Sequence, residues 1–287
     1  MTLPQKMSGV VLTGHGGLEM LEWRDDLTVP TPGKGDVIVR VSAAGVNNTD
    51  INTRLAWYSK GDGDADDATW SGAPIAFPLI QGIDVCGQIV ATGEGVDPKR
   101  IGEQVLIEPC LLEANGERLK TPWFLGSECN GGFADYTRVA SRHAYRIVSD
   151  LTDAQLASFP CSYSTAENML TRTNVGPDDT VLITGASGGV GSAAIQLARA
   201  RGATVIAVTS PSKAETLKSL GAIRTVDRSN DLIAELGRNS MDVVIDLVAG
   251  QKWPSLLDVL RPAGRYAVAG AVAGPIVELD VRTLYLK

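Results

Sequence analysis

The chain has 287 residues, of which 44% are hydrophobic and 21% charged, a composition typical of an ordinary globular protein with room for two domains. Its formal net charge of −7 argues against nucleic-acid binding, because proteins that bind nucleic acids carry a basic surface. No apolar run reaches the roughly 18 residues that span a bilayer, and the first residues lack a signal peptide's apolar segment, so we expect a cytoplasmic protein that does not bind membranes.

The first half of the chain has the pattern of β-strands. Apolar and polar residues alternate in short segments, and a proline-rich turn at 29–35 separates the first two. The predicted strand segments are 8–13, 36–43, 78–93 and 102–107. Residues 47–54 interrupt this pattern with polar side chains and read as a loop or a short helix. The acidic segment 60–67 lacks the final glutamate and the flanking helices of an EF-hand, so we expect a solvated loop there.

In the second half of the chain the hydrophobic period becomes helical from Asp153, and after Val181 strands alternate with helices. Such alternation is typical of a parallel, doubly wound sheet in an α/β fold. We therefore place a domain boundary near residue 150, with 1–150 and 151–287 as the two domains. The later strands are predicted at 204–208, 225–227, 241–246 and 265–269.

Residues 181–191 carry the strongest functional signal. They read Val-Leu-Ile-Thr-Gly-Ala-Ser-Gly-Gly-Val-Gly, a short apolar strand that runs into a glycine turn, and residues 192–198 continue with helical spacing. Glycines let the backbone approach a pyrophosphate, and free N–H groups at a helix N-terminus bind its negative charge. The stretch therefore predicts a dinucleotide site. The residues predicted to line it are Ser187, Gly188, Gly189, Val190 and Gly191.

Two other enzyme classes have similar glycine-rich motifs. The turn also fits the GxSxG elbow of α/β-hydrolases, but that fold places its catalytic histidine after the serine, and the 2 histidines here, His15 and His143, precede Ser187. The TGxxxGxG turn of short-chain dehydrogenases requires a later YxxxK pair. Neither Tyr266 nor Tyr285 is followed by a lysine at that spacing.

The 4 cysteines lie far apart and form no CxxC pair, which argues against a disulfide framework and a thiolate metal cluster. We expect all of them to be small buried side chains. They are Cys86, Cys110, Cys129 and Cys161.

Several motifs, in their order along the chain, resemble the medium-chain dehydrogenase/reductase superfamily. They are GVNNTD at 45–50, GIDVCGQIVATGEGV at 82–96, GGFADY at 131–136 and GASGGVG at 185–191. Within this superfamily the sequence is most similar to the zinc-free quinone oxidoreductases of the zeta-crystallin type. The resemblance implies a GroES-like β-barrel catalytic domain followed by a Rossmann domain with a doubly wound parallel sheet.

The zinc alcohol dehydrogenases of the superfamily hold their catalytic metal with a Cys, a His with a following Glu, and a second Cys. The matching positions here are Asn47, Ile83 with Asp84, and Cys161. A catalytic zinc needs about three protein ligands, and an isoleucine cannot be one. The lobe that carries structural zinc in relatives runs here from 108 to 130 and contains only Cys110 and Cys129. The resemblance therefore implies a protein without zinc at either place.

NAD-specific sites carry a carboxylate about 20 residues beyond the glycine turn, where it binds the ribose 2′-hydroxyl. Here the second strand of this half ends in Val-Thr-Ser-Pro-Ser-Lys, so the carboxylate is missing and a cation follows. We therefore expect NADPH rather than NADH as the cofactor. Lys213 and Arg228 match the family positions that bind the 2′-phosphate, and Ser210 is predicted to lie beside them. Thr165 and Gly270 match positions next to the nicotinamide.

The resemblance implies a metal-free, NADPH-dependent reduction of quinones or enones by hydride transfer. It places Asn47, Asp50 and Tyr58 at the reaction centre. Tyr58 matches the proton-donor tyrosine of enoyl-thioester reductases, and a neutral phenol suits the stabilisation of charge on a substrate oxygen. The alternative for Tyr58 is an aromatic wall of the cleft. An enoyl-thioester reductase is the alternative enzyme, and a non-catalytic NADPH-binding sensor or crystallin-like protein is the alternative of another class.

Members of this family continue beyond the position of Lys287 with a last Rossmann strand and a segment that completes the catalytic domain. We expect both to be absent here, and the homodimer that the last strand forms in the family is therefore doubtful for this chain. The expected partner is a small carbonyl or quinone substrate, with no nucleic acid and no membrane.

Overall fold

The computed structural model describes residues 3–59, 69 and 74–287, and the chain divides into two units, Met1–Cys161 and Ser162–Lys287. The loop predicted at 60–67 lies outside the described residues. Within the described ranges, no helix combines the length and the apolar character that crossing a bilayer requires.

The first unit consists mainly of antiparallel β-structure. In chain order its strands are β1 (Lys6–Leu12), β2 (Leu21–Thr28), β3 (Asp36–Gly45), β4 (Asp84–Thr92), β5 (Gln104–Ile107), β6 (Cys110–Ala114), β7 (Glu117–Phe124), β8 (Tyr136–Ala140) and β9 (Ala144–Arg146). The main sheet has the order β8-β3-β4-β5-β9, while β1 with β2 and β6 with β7 form two-stranded sheets. Val39, Val85 and Ile107 are fully buried in the core of the main sheet, because β-branched side chains pack well on a pleated surface.

Each of the predicted strand segments of the first half overlaps a strand, but the alternation pattern misses β2, the pair β6–β7, β8 and β9. β2 reads Leu-Glu-Trp-Arg-Asp-Asp-Leu-Thr and pairs with β1, and all of its side chains are exposed or half-buried. Because β2 buries no side chain, its sequence carries no regular apolar period.

Two short helices also belong to the first unit. The polar segment after β3 forms α1 (Asn48–Arg54), so the short helix is confirmed. The change to a helical period at Asp153 corresponds to α2 (Asp153–Leu156) and to the longer α3 (Pro160–Arg172), which begins at the end of this unit.

The second unit is a parallel sheet with helices on both faces. In chain order its elements are β10 (Thr180–Ile183), α4 (Gly189–Ala200), β11 (Thr204–Thr209), α5 (Ala214–Leu220), β12 (Arg224–Asp227), α6 (Leu232–Leu236), β13 (Met241–Asp246), α7 (Trp253–Val259), β14 (Leu260–Val268) and α8 (Val281–Tyr285). Ile183 and Ile195 lie in the buried cluster on one face of the sheet, and Leu182 and Leu256 lie in the cluster on the other.

The strand order β12-β11-β10-β13-β14 shows where a ligand can bind. The chain leaves β10 towards β11 and β12 on one side, then crosses back to β13 and β14 on the other. A crevice opens at the carboxyl ends of the strands where such an order reverses. The β-rich first unit and this sheet confirm the predicted fold class.

Candidate active site

Asn47 lies immediately before α1, and two carboxylates hold it. Its side-chain Nδ2 donates a hydrogen bond to Oδ2 of Asp84, the first residue of β4, over 2.8 Å. Its backbone N–H donates to Oδ2 of Asp50 over 2.8 Å, in the first turn of the helix. The amide of Asn47 therefore has a defined direction, and only one of its two side-chain N–H bonds is used by Asp84.

Asp50 is buried and joins α1 to the loop before β4. Its Oδ1 accepts hydrogen bonds from the backbone N–H groups of Gly82 and Ile83, each over 3.2 Å. Its carbonyl oxygen accepts from Nε2 of Gln81 over 2.9 Å. Burial raises the pKa of Asp50, and the hydrogen bonds from backbone N–H groups oppose that rise. These contacts give Asp50 a role in shaping the site, while its catalytic role stays a prediction.

Asp84 is a site residue that the sequence signalled only through its place after Ile83. It is 2% exposed, and its Oδ1 accepts a hydrogen bond from the backbone N–H of Cys161 over 2.6 Å. Burial raises the pKa of Asp84 to about 6, and the neighbouring Asp50 carboxylate adds to the rise. Asp84 is therefore a carboxyl group that exchanges its proton close to neutral pH.

The contacts of Asp84 join three of the positions that the resemblance matches to the zinc-binding residues of relatives, while Ile83 is the fourth. Asn47, Asp84 and Cys161 meet through hydrogen bonds of the Asp84 carboxylate. In the part of the chain that the structure describes, no group of three or more His, Cys, Asp or Glu side chains could hold a metal ion. The expectation of buried cysteines is correct only for Cys86, since the other three are half-buried.

The lobe at 108–130 carries two thiols, and burial keeps both of them protonated. Burial raises the pKa of Cys129 to about 12, and burial also raises the pKa of Cys110. Both side chains are therefore neutral at physiological pH in this structure.

Tyr58 follows α1 in the same segment as Asn47 and Asp50. Its hydroxyl lies 3.5 Å from Oγ1 of Thr49, and its ring meets the ring of Trp57 edge to face with centroids 5.4 Å apart. The side chain is half-buried. These contacts fit a hydrogen-bond donor and an aromatic wall equally well.

The glycine turn in the second unit is built for close backbone packing. Gly185 has a φ of +56°, a conformation that favours glycine. A Cβ on Gly191 would lie 2.5 Å from the carbonyl oxygen of Gly185, so the helix starts directly against the turn. Ser187, Gly188 and Gly189 are exposed.

Helix α4 begins at Gly189, and no side chain caps it. The first N–H groups of a helix have no partner within the helix, and here they follow directly on exposed glycine backbone. Val190 and Gly191 belong to this first turn. The residues at this helix start therefore fit the pyrophosphate of a dinucleotide.

The other predicted cofactor residues lie along the carboxyl edge of the same sheet, with one exception. Ser210 follows β11, and the backbone N–H of Arg228, after β12, donates to the carbonyl of Thr209 over 2.8 Å. Lys213 lies in the turn after Ser210, and the side chains of Lys213 and Arg228 are exposed. Gly270 follows β14, whereas Thr165 lies half-buried on α3.

The end of β11 carries no carboxylate, but the neighbouring β12 ends in Asp227, which the sequence reasoning did not consider. Oδ1 of Asp227 accepts hydrogen bonds from the backbone N–H and the hydroxyl of Ser229, both over 2.9 Å. These bonds lower the pKa of Asp227, so it is ionised. Its charge lies next to the strand end where the 2′-substituent of the adenosine ribose is predicted to bind.

A parallel sheet with a glycine turn at its switch point is the arrangement in which dinucleotide-binding domains hold their ligand. Two family models match the chain: the alcohol dehydrogenase GroES-like domain over residues 33–149 and the zinc-binding dehydrogenase over residues 189–287. A solved structure from Sinorhizobium meliloti 1021, described provisionally as an alcohol dehydrogenase, is 43% identical with a TM-score of 0.88. That match covers 99% of this chain and 81% of the other.

Relatives of known activity point to the same family. The chloroplastic NADPH-dependent alkenal/one oxidoreductase of Arabidopsis thaliana is 28% identical, over 96% of this chain and 65% of that protein. The quinone oxidoreductase of Lama guanicoe is 28% identical, over 98% of this chain and 77% of that protein. The NAD-dependent alcohol dehydrogenase of Sulfolobus acidocaldarius is 30% identical, over 87% of this chain and 74% of that protein. The chain therefore spans slightly less than two thirds of the first of these proteins.

This chain belongs to the medium-chain dehydrogenase/reductase superfamily, and its relatives support the quinone oxidoreductase branch. The family predicted from the motifs is confirmed. Its members bind a nicotinamide cofactor, and the names of the relatives divide between NADPH and NAD.

Proposed function

We propose that the protein is an NADPH-dependent oxidoreductase that reduces quinones or α,β-unsaturated carbonyls without a catalytic zinc. The observation that carries this proposal is the cluster of Asn47, Asp84 and Cys161. The resemblance matches Asn47, Ile83 with Asp84, and Cys161 to the zinc ligands of metal-dependent relatives. Here the Asp84 carboxylate accepts hydrogen bonds from the side-chain amide of Asn47 and from the backbone N–H of Cys161.

The nicotinamide, when bound, supplies the hydride, and the chain's own residues position the substrate and stabilise its oxygen. The second N–H of the Asn47 amide, which Asp84 does not use, is available to a carbonyl oxygen of the substrate. The Tyr58 hydroxyl is the proposed donor to the oxygen on which negative charge develops. Asp84 holds the Asn47 amide in place and is not itself proposed to touch the substrate.

We propose NADPH as the cofactor because β11 ends without a carboxylate and because Lys213 and Arg228 follow the ends of β11 and β12. The negative charge of Asp227, at the end of β12, would repel the 2′-phosphate of NADPH. The preference for NADPH over NADH therefore depends on the positive charges of Lys213 and Arg228. A hydrogen bond to a charged group is worth about 1.5 to 3 kcal/mol. Loss of both contacts should therefore lower the preference for NADPH by about 10²-fold or more.

The test is the double variant Lys213→Glu with Arg228→Glu, and the readout is the ratio of the dissociation constants for NADPH and NADH. The matched control is Lys218→Glu, a charge reversal at an exposed lysine on α5 that pairs only with Glu215 among the described residues. An unchanged NADPH preference in the double variant contradicts the assignment of these two residues.

The substrate class is tested by NADPH consumption with quinones, enones and crotonyl thioesters. Turnover with quinones or enones is the expected result. Turnover confined to the thioester would favour the enoyl-thioester reductase instead. Tight NADPH binding without turnover on any member of the panel would favour the non-catalytic binding protein.

A further inference from the structure

A buried carboxylate lies at the carboxyl end of β13 and belongs to neither of the predicted sites. Asp246 is 0% exposed. Its Oδ1 accepts hydrogen bonds from the Thr184 hydroxyl over 2.5 Å, the backbone N–H of Val248 over 2.9 Å and the backbone N–H of Ala249 over 3.2 Å. Its Oδ2 accepts from the hydroxyl of Tyr266 and from the backbone N–H of Ala249 over 3.2 Å. A buried carboxyl group is tolerated only when such bonds satisfy it, and here all the donors are neutral groups.

Thr184 extends this network to the segment that follows β13. Its hydroxyl donates to Asp246 and accepts the backbone N–H of Leu247 over 2.9 Å. The backbone N–H groups of three consecutive residues, 247 to 249, therefore bind the side chains of Thr184 and Asp246. Ala249 has a φ of +53°, which a residue with a side chain adopts only when its surroundings hold it there.

Residues 247–249, here called the wall segment, contact two glycines of the dinucleotide site. A Cβ on Gly185, in the glycine turn, would lie 3.2 Å from the side chains of Leu247 and Val248. A Cβ on Gly270 would lie 2.5 Å from the carbonyl oxygen of Leu247. The wall segment thus lies between the turn after β10 and the segment after β14, so its position sets the spacing of the two.

We propose that Asp246 and Thr184 are positioning residues of the cofactor site, which fix the wall segment between Gly185 and Gly270. A binding site keeps its geometry when the residues behind it are themselves locked by hydrogen bonds. Tyr266 contributes through the second oxygen of Asp246, and its ring lies edge to face against Trp253 with centroids 5.9 Å apart. The inference rests on the dinucleotide site of the proposed function, but not on the identity of the substrate.

The test compares two substitutions at one position. Thr184→Val keeps the shape of the side chain but removes the hydroxyl, which leaves the Leu247 N–H without its partner and removes one of the hydrogen-bond donors to Asp246. Thr184→Ser keeps the hydroxyl and is the matched control. The dissociation constants for NADPH and NADP⁺ are measured by calorimetric titration, and circular dichroism checks folding. We expect Thr184→Val to weaken both dinucleotides about tenfold or more, or about 1.4 kcal/mol, and Thr184→Ser to remain within about threefold of the wild type.

A folded Thr184→Val protein that binds both dinucleotides as tightly as the wild type would overturn the inference, and so would equal losses in the Val and Ser variants. If Thr184→Val does not fold, the test uses Tyr266→Phe, which removes only a hydroxyl. Weaker dinucleotide binding by this variant supports the inference, and unchanged dinucleotide binding overturns it. A wild-type protein that binds no dinucleotide would overturn the cofactor site itself. That result is distinguishable, because it precedes any comparison of variants.

Discussion

Gly191 and Gly188 lie three residues apart at the start of α4, and the structure assigns them different roles. A Cβ on Gly191 would lie 2.5 Å from the carbonyl oxygen of Gly185 and 2.6 Å from Cα of Ala186, and both atoms belong to the backbone. A Cβ on Gly188 would have its nearest contact at 3.5 Å, with the carbonyl oxygen of Gly185. Gly188 has a φ of −80°, so an alanine fits its backbone conformation.

The size of the effect of Gly191→Ala follows from these contacts. Overpacking a tight site costs about 1 to 3 kcal/mol, and backbone atoms cannot rotate away as a side chain can. Alanine is about 0.5 to 1 kcal/mol better than glycine inside a helix, which offsets part of the cost. We expect a net loss of about 1 to 2 kcal/mol in the free energy of unfolding. For a domain of this size the loss corresponds to a fall of about 4 to 8 °C in Tm.

Gly188→Ala should leave the Tm of the cofactor-free protein nearly unchanged. Its methyl group would instead stand on the exposed face of the turn, where the pyrophosphate is predicted to approach. We therefore expect weaker NADPH binding by about tenfold or more in this variant.

The assay measures thermal unfolding without cofactor and the dissociation constant for NADPH in both variants. Gly191→Ala should change both the Tm and the dissociation constant for NADPH. Gly188→Ala should change only the dissociation constant for NADPH. A wild-type Tm for Gly191→Ala would refute the tight packing of the helix start on the turn. An unchanged NADPH affinity in Gly188→Ala would show that no pyrophosphate lies against this glycine.

Three further outcomes are expected. Tyr58→Phe should lower turnover about 10²-fold with enoyl substrates, because their reduction needs a proton donor. The same variant should change turnover with quinones little, because the reduced oxygens of a quinone take protons from water. Full activity of the variant on every substrate would remove Tyr58 from the mechanism. Metal analysis after dialysis should find no stoichiometric zinc, and one tightly held zinc per chain would contradict the proposed chemistry. The pKa of Asp84 is about 6 in the folded protein against an ordinary value of 3.8, so its contribution to stability is fully present below about pH 4 and is lost as the pH rises through 6, by up to about 3 kcal/mol. The stability of Asp84→Asn relative to the wild type should therefore increase between pH 4 and pH 7 in denaturant titrations, and a constant difference would argue against the raised pKa.

The sequence by itself determined the elements whose signals are local. The strand, glycine turn and helix start at 181–191 are consecutive in the chain, so their pattern can be recognised from the local sequence without knowledge of the rest of the fold. The alternation of strands and helices after Val181 likewise predicts the parallel sheet, because a strand buried on both faces is continuously apolar. The exposed strand β2 left no such signal.

Only the tertiary structure decided which polar groups of side chains and backbone meet. Asn47 and Asp84 are 37 residues apart in the chain, and Asp84 and Cys161 are 77 apart, yet hydrogen bonds join all three. The resemblance to metal-dependent relatives named these positions, but it did not show that a carboxylate with a raised pKa binds both neighbours. The contact between Thr184 and Asp246, 62 residues apart, had no sequence signal, because a hydroxyl and a carboxylate at two strand ends become partners only when the strands pair in register. Side-chain chemistry and local periods are properties of the sequence, whereas burial and the pairing of distant groups arise only when the sheets assemble.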